Sequence, residues 1–380
     1  MAIKMKDYMN YLWIVILLIG CAYLFQRYQT KQFNNRPEEV SNASLQKYLL
    51  NDGTTLDNSK DQRPILWIPL HYEYNARNWQ SFGSRSSFNL NQPYLYLTVK
   101  SIIQCCGDSF RICLIDDDSF SKLLPNWKIN MDGVSSPVLD YLRELGLVSL
   151  LYHYGGLLVP PSFLCFRNLI NMYETAVAGN KICICETVDR NITATSYDWY
   201  VNLYFMGAQK GCPTLKDLMN FMERTISSDY TAQAEFLGEF NRWIRYRVKE
   251  GKVSVIDGKM IGTRTMEDEP ILVDDLLSNN YLDIYSNAYG IYIPADEILK
   301  RRHYEWFARM SQRQILESKV IICKYILLAS APNLPKGTIE PFKKKPNWVS
   351  FWRVPSGAPL WGLKPNVSPT YLVKESYPAR

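Results

Sequence analysis

The chain has 380 residues, 47% of them hydrophobic and 21% charged, with a formal net charge of +6. That composition excludes an intrinsically disordered chain and suffices for one large core with appendages. The charge is uneven: residues 300–380 hold 15 Lys/Arg against 4 Asp/Glu, so that end carries +11 and the remainder −5. Such asymmetry points either to a basic interacting tail or to a solvated basic face without a specific partner.

Nine cysteines, at positions 21, 105, 106, 113, 165, 183, 185, 212 and 323, form no CxxC pair and no Cys/His ligand spacing. No zinc site is therefore expected. Cys113, Cys183 and Cys185 lie in apolar, strand-like runs, where a free cysteine acts as a small buried hydrophobe, and the chain reads as one for a reducing compartment. Sequons at Asn42, Asn191 and Asn366 would matter only in a secretory lumen.

Residues 11–25 (YLWIVILLIGCAYLF) carry no charge, with Lys4 and Lys6 before them and Arg27 and Lys31 after. Tyr8, Met9 and Tyr28 extend this run into the interface, which predicts a single-pass membrane anchor over 8–28. A cleaved signal peptide, or a lipoprotein signal at Leu18-Ile19-Gly20-Cys21, competes with it, but the apolar run continues past both candidate sites. Cations flank both sides and leave the orientation open. Residues 29–63, rich in Asn, Asp, Glu and Ser towards their end, read as a stalk.

The folded domain spans 64–330. A buried strand is expected over 65–70, a helix over 93–105 and a second strand over 111–115, at whose end stand Asp116, Asp117 and Asp118. That triplet is either a displaced metal site or a turn in which Asp118 or Ser119 caps a short helix over 120–124. Ser135-Ser136-Pro137 is a strong helix start, and the pattern runs over 138–154 until Gly155 stops it. Strands follow over 157–159, 182–186 and 201–206, then a turn over 207–213. Helices over 214–225 and 232–249 come next, the second with Phe236, Phe240, Trp243, Ile244 and Arg247 on its core side. Most of 295–329 reads as helix, and Lys319 and Lys324 argue against a second membrane span. Strands alternating with helices imply an α/β fold with a mainly parallel sheet. In such sheets ligands sit beyond the carboxyl ends of the strands, so Pro160 to Ser162 would face a bound molecule.

Residues 331–380 differ in kind. They hold nine of the 20 prolines, Lys343-Lys344-Lys345, and Trp348, Trp352 and Trp361, the composition of an extended basic arm. An acidic protein or lipid headgroups would suit it; no base-reading motif accompanies it, so no specific nucleic acid is expected.

Two βα units, a long helix closing on Leu151-Tyr152-His153-Tyr154-Gly155-Gly156, and a short strand together resemble the glycosyltransferases whose sugar-binding region contains a DXD motif. That group has a GT-A fold and includes capsular-polysaccharide and mannosyl transferases. Its members typically read YGG-[apolar]-Y-[apolar]-D-x-D. The resemblance covers about residues 64–210; Asn202 to Pro213 is similar to the family's later strand and glycine turn, and His303-Tyr304-Glu305-Trp306 to its C-terminal His and Trp. It implies a Rossmann-like sheet, a nucleotide-sugar donor, and carboxylates that hold Mn²⁺ or Mg²⁺ against the donor diphosphate. It also implies a substrate-binding set of Tyr154, Gly155, Gly156, Pro160 and Ser162 with Asp140 and Arg143. Pro160 and Ser162 stand where the two Asp residues belong. Gapless alignment likewise puts Glu144 and Leu147 in place of the family's upstream Asp and Arg, while Asp140 and Arg143 keep that mutual spacing one helical turn earlier.

The resemblance therefore leaves three readings. One is a transferase that holds the diphosphate with other groups, for which Asp116, Asp117, Asp118, His303, Lys210 and Arg143 are candidates; no cofactor is expected, and Mn²⁺ or Mg²⁺ only with such a relocated site. Another is a domain that binds a sugar, glycan or nucleotide without turning it over. The third is a structural or assembly membrane protein; the odd cysteine count and Asn/Tyr-rich composition resemble proteins of large DNA virus particles, which places the membrane in a virion or in host endomembranes. The Gly155-Gly156 pair is expected to provide shape, a left-handed cap and close helix-to-strand packing. His153 is expected to be a cation at the helix C-terminal dipole, and His71 to be an ordinary hydrogen-bonded residue after the first strand.

Overall fold

A computed structural model describes residues 20, 62–70, 92–125, 127–131, 133–134, 138–187, 199–228, 233–300 and 302–331. The chain divides into two units, Met1–Tyr48 and Leu49–Arg380, and all described residues except Gly20 belong to the second. The expected anchor (apart from Gly20), most of the stalk, the basic arm beyond Ala331, His71, Ser135 to Pro137 and the three sequons lie outside the described residues. Among the described residues no helix is long and apolar enough to cross a membrane.

The domain opens with strand β1 (Ile65–Pro69), followed by helix α1 (Tyr94–Cys106) and strand β2 (Arg111–Ile115). Next come α2 (Asp117–Leu123), α3 (Val138–Tyr154), β3 (Gly156–Leu158) and β4 (Phe163–Cys165). After α4 (Ile170–Val177), strands β5 (Ile182–Thr187) and β6 (Tyr200–Ala208) precede α5 (Pro213–Ser228) and α6 (Gln233–Lys249). Strand β7 (Val253–Ile256), α7 (Val273–Leu276), β8 (Gly290–Tyr292) and α8 (Ala295–Lys300) lead to α9 (Glu305–Ala308), α10 (Gln312–Leu316) and α11 (Ile321–Ser330).

The main sheet has the order β2-β1-β3-β6-β5-β7, and β4 and β8 form a separate antiparallel pair. Five strands point one way; β6 runs against both neighbours, β3 and β5. The fold is thus α/β with a mostly parallel six-stranded sheet flanked by helices. Strands β1 and β5 are unbroken apolar runs, with Leu66, Trp67, Ile68 and Ile182 to Cys185 fully buried, as strands covered on both faces require. From β1 the chain crosses to β2 on one side and later to β3 on the other, so the topological switch point, where such sheets bind ligands, lies at the carboxyl ends of β1 and β3.

Helix α3 packs on this sheet through Tyr141, Leu142, Leu147, Val148, Leu150 and Leu151. Gly146 lets it approach α2, since a Cβ there would meet the Phe120 ring at 2.8 Å. One expectation needs correction. The short helix begins at Asp117 and not at Phe120, because Asp116 is its N-cap. Most of 295–329 is helical as expected, divided into α8 to α11; Ser311 starts α10 by accepting a hydrogen bond from Gln314 N while Gln314 Oε1 accepts from Ser311 N.

Candidate functional site

The expected site residues fall at opposite edges of the sheet. Tyr154, Gly155 and Gly156 stand where β3 begins, the edge remote from the switch point. Gly155 (φ 73°) ends α3, its N–H donating to Leu151 O at 2.8 Å, and its carbonyl accepts from Trp67 Nε1 at 2.9 Å. Tyr154 tilts against Trp67 and donates its hydroxyl to Leu123 O at 2.7 Å. Because β6 is reversed, Lys210 after its end lies at this same edge: a Cβ on Gly155 would be 2.7 Å from Lys210 N. These four residues lie at the opposite end of the sheet from the carboxyl ends. His153 stands in the last turn of α3. Partial burial, and then the nearby Lys210 charge, hold its pKa below the usual imidazole value and favour the neutral ring over the cation a helix dipole would select.

At the carboxyl edge two of the three Asp side chains are already engaged. Asp116 Oδ1 accepts from Ser119 N at 3.0 Å and Ser119 Oγ at 2.6 Å, and Ser119 Oγ accepts from Asp116 N, a reciprocal capping box. Asp117 meets Arg143 in a fork: Nε lies 3.0 Å from Oδ1, and Nη2 lies 2.7 Å from Oδ2. The Arg143 Nη1 also reaches Asp140 Oδ1 at 3.4 Å. Asp118 is exposed. Arg143 is therefore a buried clasp between α2 and α3, closed on two carboxylates. Glu186, buried at the end of β5, is likewise held by Gly258 N and the Arg264 guanidinium.

Pro160 is buried and its carbonyl accepts from Phe163 N; the Pro161 carbonyl accepts from Thr98 Oγ1. Ser162, 2% exposed, offers its carbonyl to Ile293 N. This segment is a turn that launches the β4–β8 pair. It brings no carboxylate to the position a divalent ion would need, and among the described residues no three His, Cys, Asp or Glu side chains converge as ligands. Pro160 and Ser162 therefore supply neither of the carboxylates that would hold Mn²⁺ or Mg²⁺ there.

Next to the clasp lies a group that sequence reasoning did not assemble. Glu144, one residue beyond Arg143 on α3, has an Oε2 sealed from solvent with no hydrogen-bond partner. Burial, then the charges of Asp140 and Asp296, raise its pKa to about 8, so it is largely a neutral acid at pH 7. Tyr204 on β6 is raised well above an ordinary phenol by burial and by Glu144, Asp296 and Asp140, with Arg143 opposing. Tyr292 on β8 is raised by burial and Asp296, against a hydrogen bond with Asn202. Tyr94, at the start of α1, is raised by burial, Tyr292 and Asp296, and its hydroxyl has no partner. Gln92 anchors this corner by donating to Ala295 O at 3.3 Å, while its own Oε1 is unpartnered. Four elements thus bring a neutral acid, three phenols and two amides to one electrostatic neighbourhood. A small adjoining cleft, lined by Thr187, Thr263, Tyr292 and Glu297 among others, leaves about 10 Å³, room for about one water.

Sequence spacing named Arg143 and Asp140 but reached Glu144 only as a gapless counterpart. Asn202 and Tyr204 were marked only as part of a strand, and Tyr94, Tyr292 and Asp296 carried no site signal, because strand pairing and not spacing collects them. His303 is exposed in the 3-10 turn Arg302–Tyr304, edge-on to the Tyr304 ring at 5.2 Å.

No protein-family model, curated protein or solved structure matches the chain. Fold and site define an α/β protein with a polar, acid-rich corner at the carboxyl edge of its sheet.

Proposed function

We propose that this is a membrane-anchored, glycosyltransferase-like protein that binds a sugar, glycan or nucleotide sugar at the carboxyl edge and no longer performs metal-dependent sugar transfer. The observation that carries the reading is the exchange of charge at that edge. The turn at Pro160 to Ser162 is consumed by backbone pairing, and the Glu144 Oε2 is sealed from solvent without a hydrogen-bond partner, burial pushing its carboxyl pKa up to about 8. Neutral carboxyl, phenol and amide groups exchange hydrogen bonds with sugar hydroxyls without a counterion, so a nucleotide sugar would be held here by its sugar, with its diphosphate clear of Asp140, Asp296 and Glu297, where it would meet like charge. The sheet order supports the location, since ligands in open α/β sheets collect at the switch point. Fold alone does not supply an activity.

The test is turnover. Hydrolysis and transfer of a panel of nucleotide sugars, followed with Mn²⁺ and again with a chelator, are expected to show no metal-stimulated reaction. Stimulation by Mn²⁺ that is lost on changing Asp116, Asp117 and Asp118 to Asn would overturn the reading.

A second reading, a working metal-independent transferase, is favoured by Glu144 alone. A carboxyl group with a pKa near 8 can hold or accept a proton close to neutral pH, as a general acid or base must. Turnover that persists in chelator and is abolished by Glu144→Gln would select it. An assembly role in a virus particle would leave the corner without any sugar ligand.

A further inference from the structure

Three thiols meet where the end of α1 crosses β4. Cys105 and Cys106 close α1, and Cys165 closes β4, all three as free thiols. The register of this crossing is fixed by Ser101 on α1, whose Oγ accepts from Cys165 N at 2.9 Å. Cys105 Sγ lies 3.6 Å from Cys165 O, and Cys165 Sγ lies 3.1 Å from Arg167 O. The Cys105 and Cys165 side chains are close enough for each to shift the other's titration. Cys105 is half-buried and keeps a path to solvent, whereas Cys106 and Cys165 are buried.

We propose that Cys105 and Cys165 form a thiol-modification site: Cys105 accepts a thiol adduct from a small disulfide, and Cys165 resolves it into an internal disulfide that staples α1 to β4.

The two thiols are unequal in the way this needs. The neighbouring Cys165 side chain lowers the Cys105 pKa against a smaller opposing effect of its partial burial, while burial, and then Cys105 and Cys106, raise Cys165 well above a free thiol. Cys105 is then the attacking thiolate. It attacks one sulfur of a disulfide such as glutathione disulfide, forming a Cys105 mixed disulfide and releasing one glutathione thiolate. That thiolate takes the Cys165 proton; Cys165 Sγ attacks Cys105 Sγ and releases the second glutathione. One external disulfide becomes two thiols, and the protein loses two hydrogens. Cys106 also neighbours Cys165 but is buried and so does not meet an external disulfide first, and it does not pair with Cys105, because closing a ring between adjacent cysteines in a helix would force their peptide bond away from planar trans.

Strand β4 pairs with β8, Cys165 opposite Gly290, and β8 carries Tyr292 of the acid-rich corner. The staple would join residues about 60 apart and so restrict the unfolded chain.

The test equilibrates the full chain in glutathione buffers from fully reduced to fully oxidised, quenches with acid, alkylates, and maps the peptides. In the wild type, an oxidised fraction with Cys105 cross-linked to Cys165 is expected, with unfolding raised by about 5–10 °C. In Cys165→Ser the reaction is expected to stop at the Cys105 adduct, and in Cys105→Ser both remaining thiols of the cluster stay reduced. Wild-type protein that stays reduced in fully oxidised buffer, retains the adduct on Cys105, or cross-links through Cys106 overturns the proposal. Because the wild type alone decides this, a variant that fails to fold does not remove the test.

Discussion

Gly156 has φ 105°, and a methyl group built on it would press into the Ile65 carbonyl oxygen of the neighbouring strand. Both the backbone conformation and the contact exclude a side chain. Gly156→Ala is expected to cost at least about 3 kcal/mol in denaturant unfolding, whereas Gly211→Ala, with the same positive φ sign but open space around it, should cost less, about 1 kcal/mol. Glu144 makes a different prediction. Its folded pKa of about 8 lies above the ordinary 4.5, so between those values the native state keeps a proton that the unfolded chain has released. Stability from this group is therefore complete below about pH 4.5 and declines as the pH rises to 8. Glu144→Gln should remove that decline. Wild type minus variant, followed by denaturant midpoint from pH 5 to 8, should fall by on the order of 1–4 kcal/mol. The double glycine was legible because its chemistry is local. Glu144 was not, because its environment is made by β6, β8 and α8, distant in sequence.

At the scale of elements, α2 and α3 are joined by the Arg143 clasp, whose guanidinium side is 6% exposed while Asp117 is 29% exposed. Lys cannot reproduce a fork on Asp117 together with contact to Asp140. Arg143→Lys is expected to destabilise by about 1–3 kcal/mol, with Arg143→Ala costing more, measured by urea unfolding. Asp116→Ala removes the capping box and should cost about 1 kcal/mol. Helix α3 was legible over its full length because its apolar residues, terminal glycine and upstream cap agree. Helix α2 was misread at its start because three successive Asp residues all offer a cap, and only the reciprocal pairing of Asp116 with Ser119 selects one. Strands β4 and β8 are three residues each and pair across more than 120 positions, a length and separation that leave no periodicity to read. The mostly helical character of 295–329 was legible, but its division was not, since the capping box at Ser311 is a local pairing that composition does not mark.

At the scale of the molecule, the alternation of strands and helices predicted the mostly parallel sheet, but not that β6 would be reversed. That reversal decides where the site lies. It leaves Lys210 beside Gly155 at the remote edge, and it turns Tyr204 and Asn202 towards the carboxyl edge with Glu144 and Tyr292. The most direct test of metal-independent binding at this edge is calorimetric titration of the full chain in detergent with nucleoside diphosphates, nucleotide sugars and oligosaccharides, with and without Mn²⁺. The expected result is binding of at least one sugar-bearing ligand with the same Kd in both conditions, weakened about tenfold or more by Glu144→Ala. Binding that appears only with Mn²⁺, or no heat with any ligand, would contradict it.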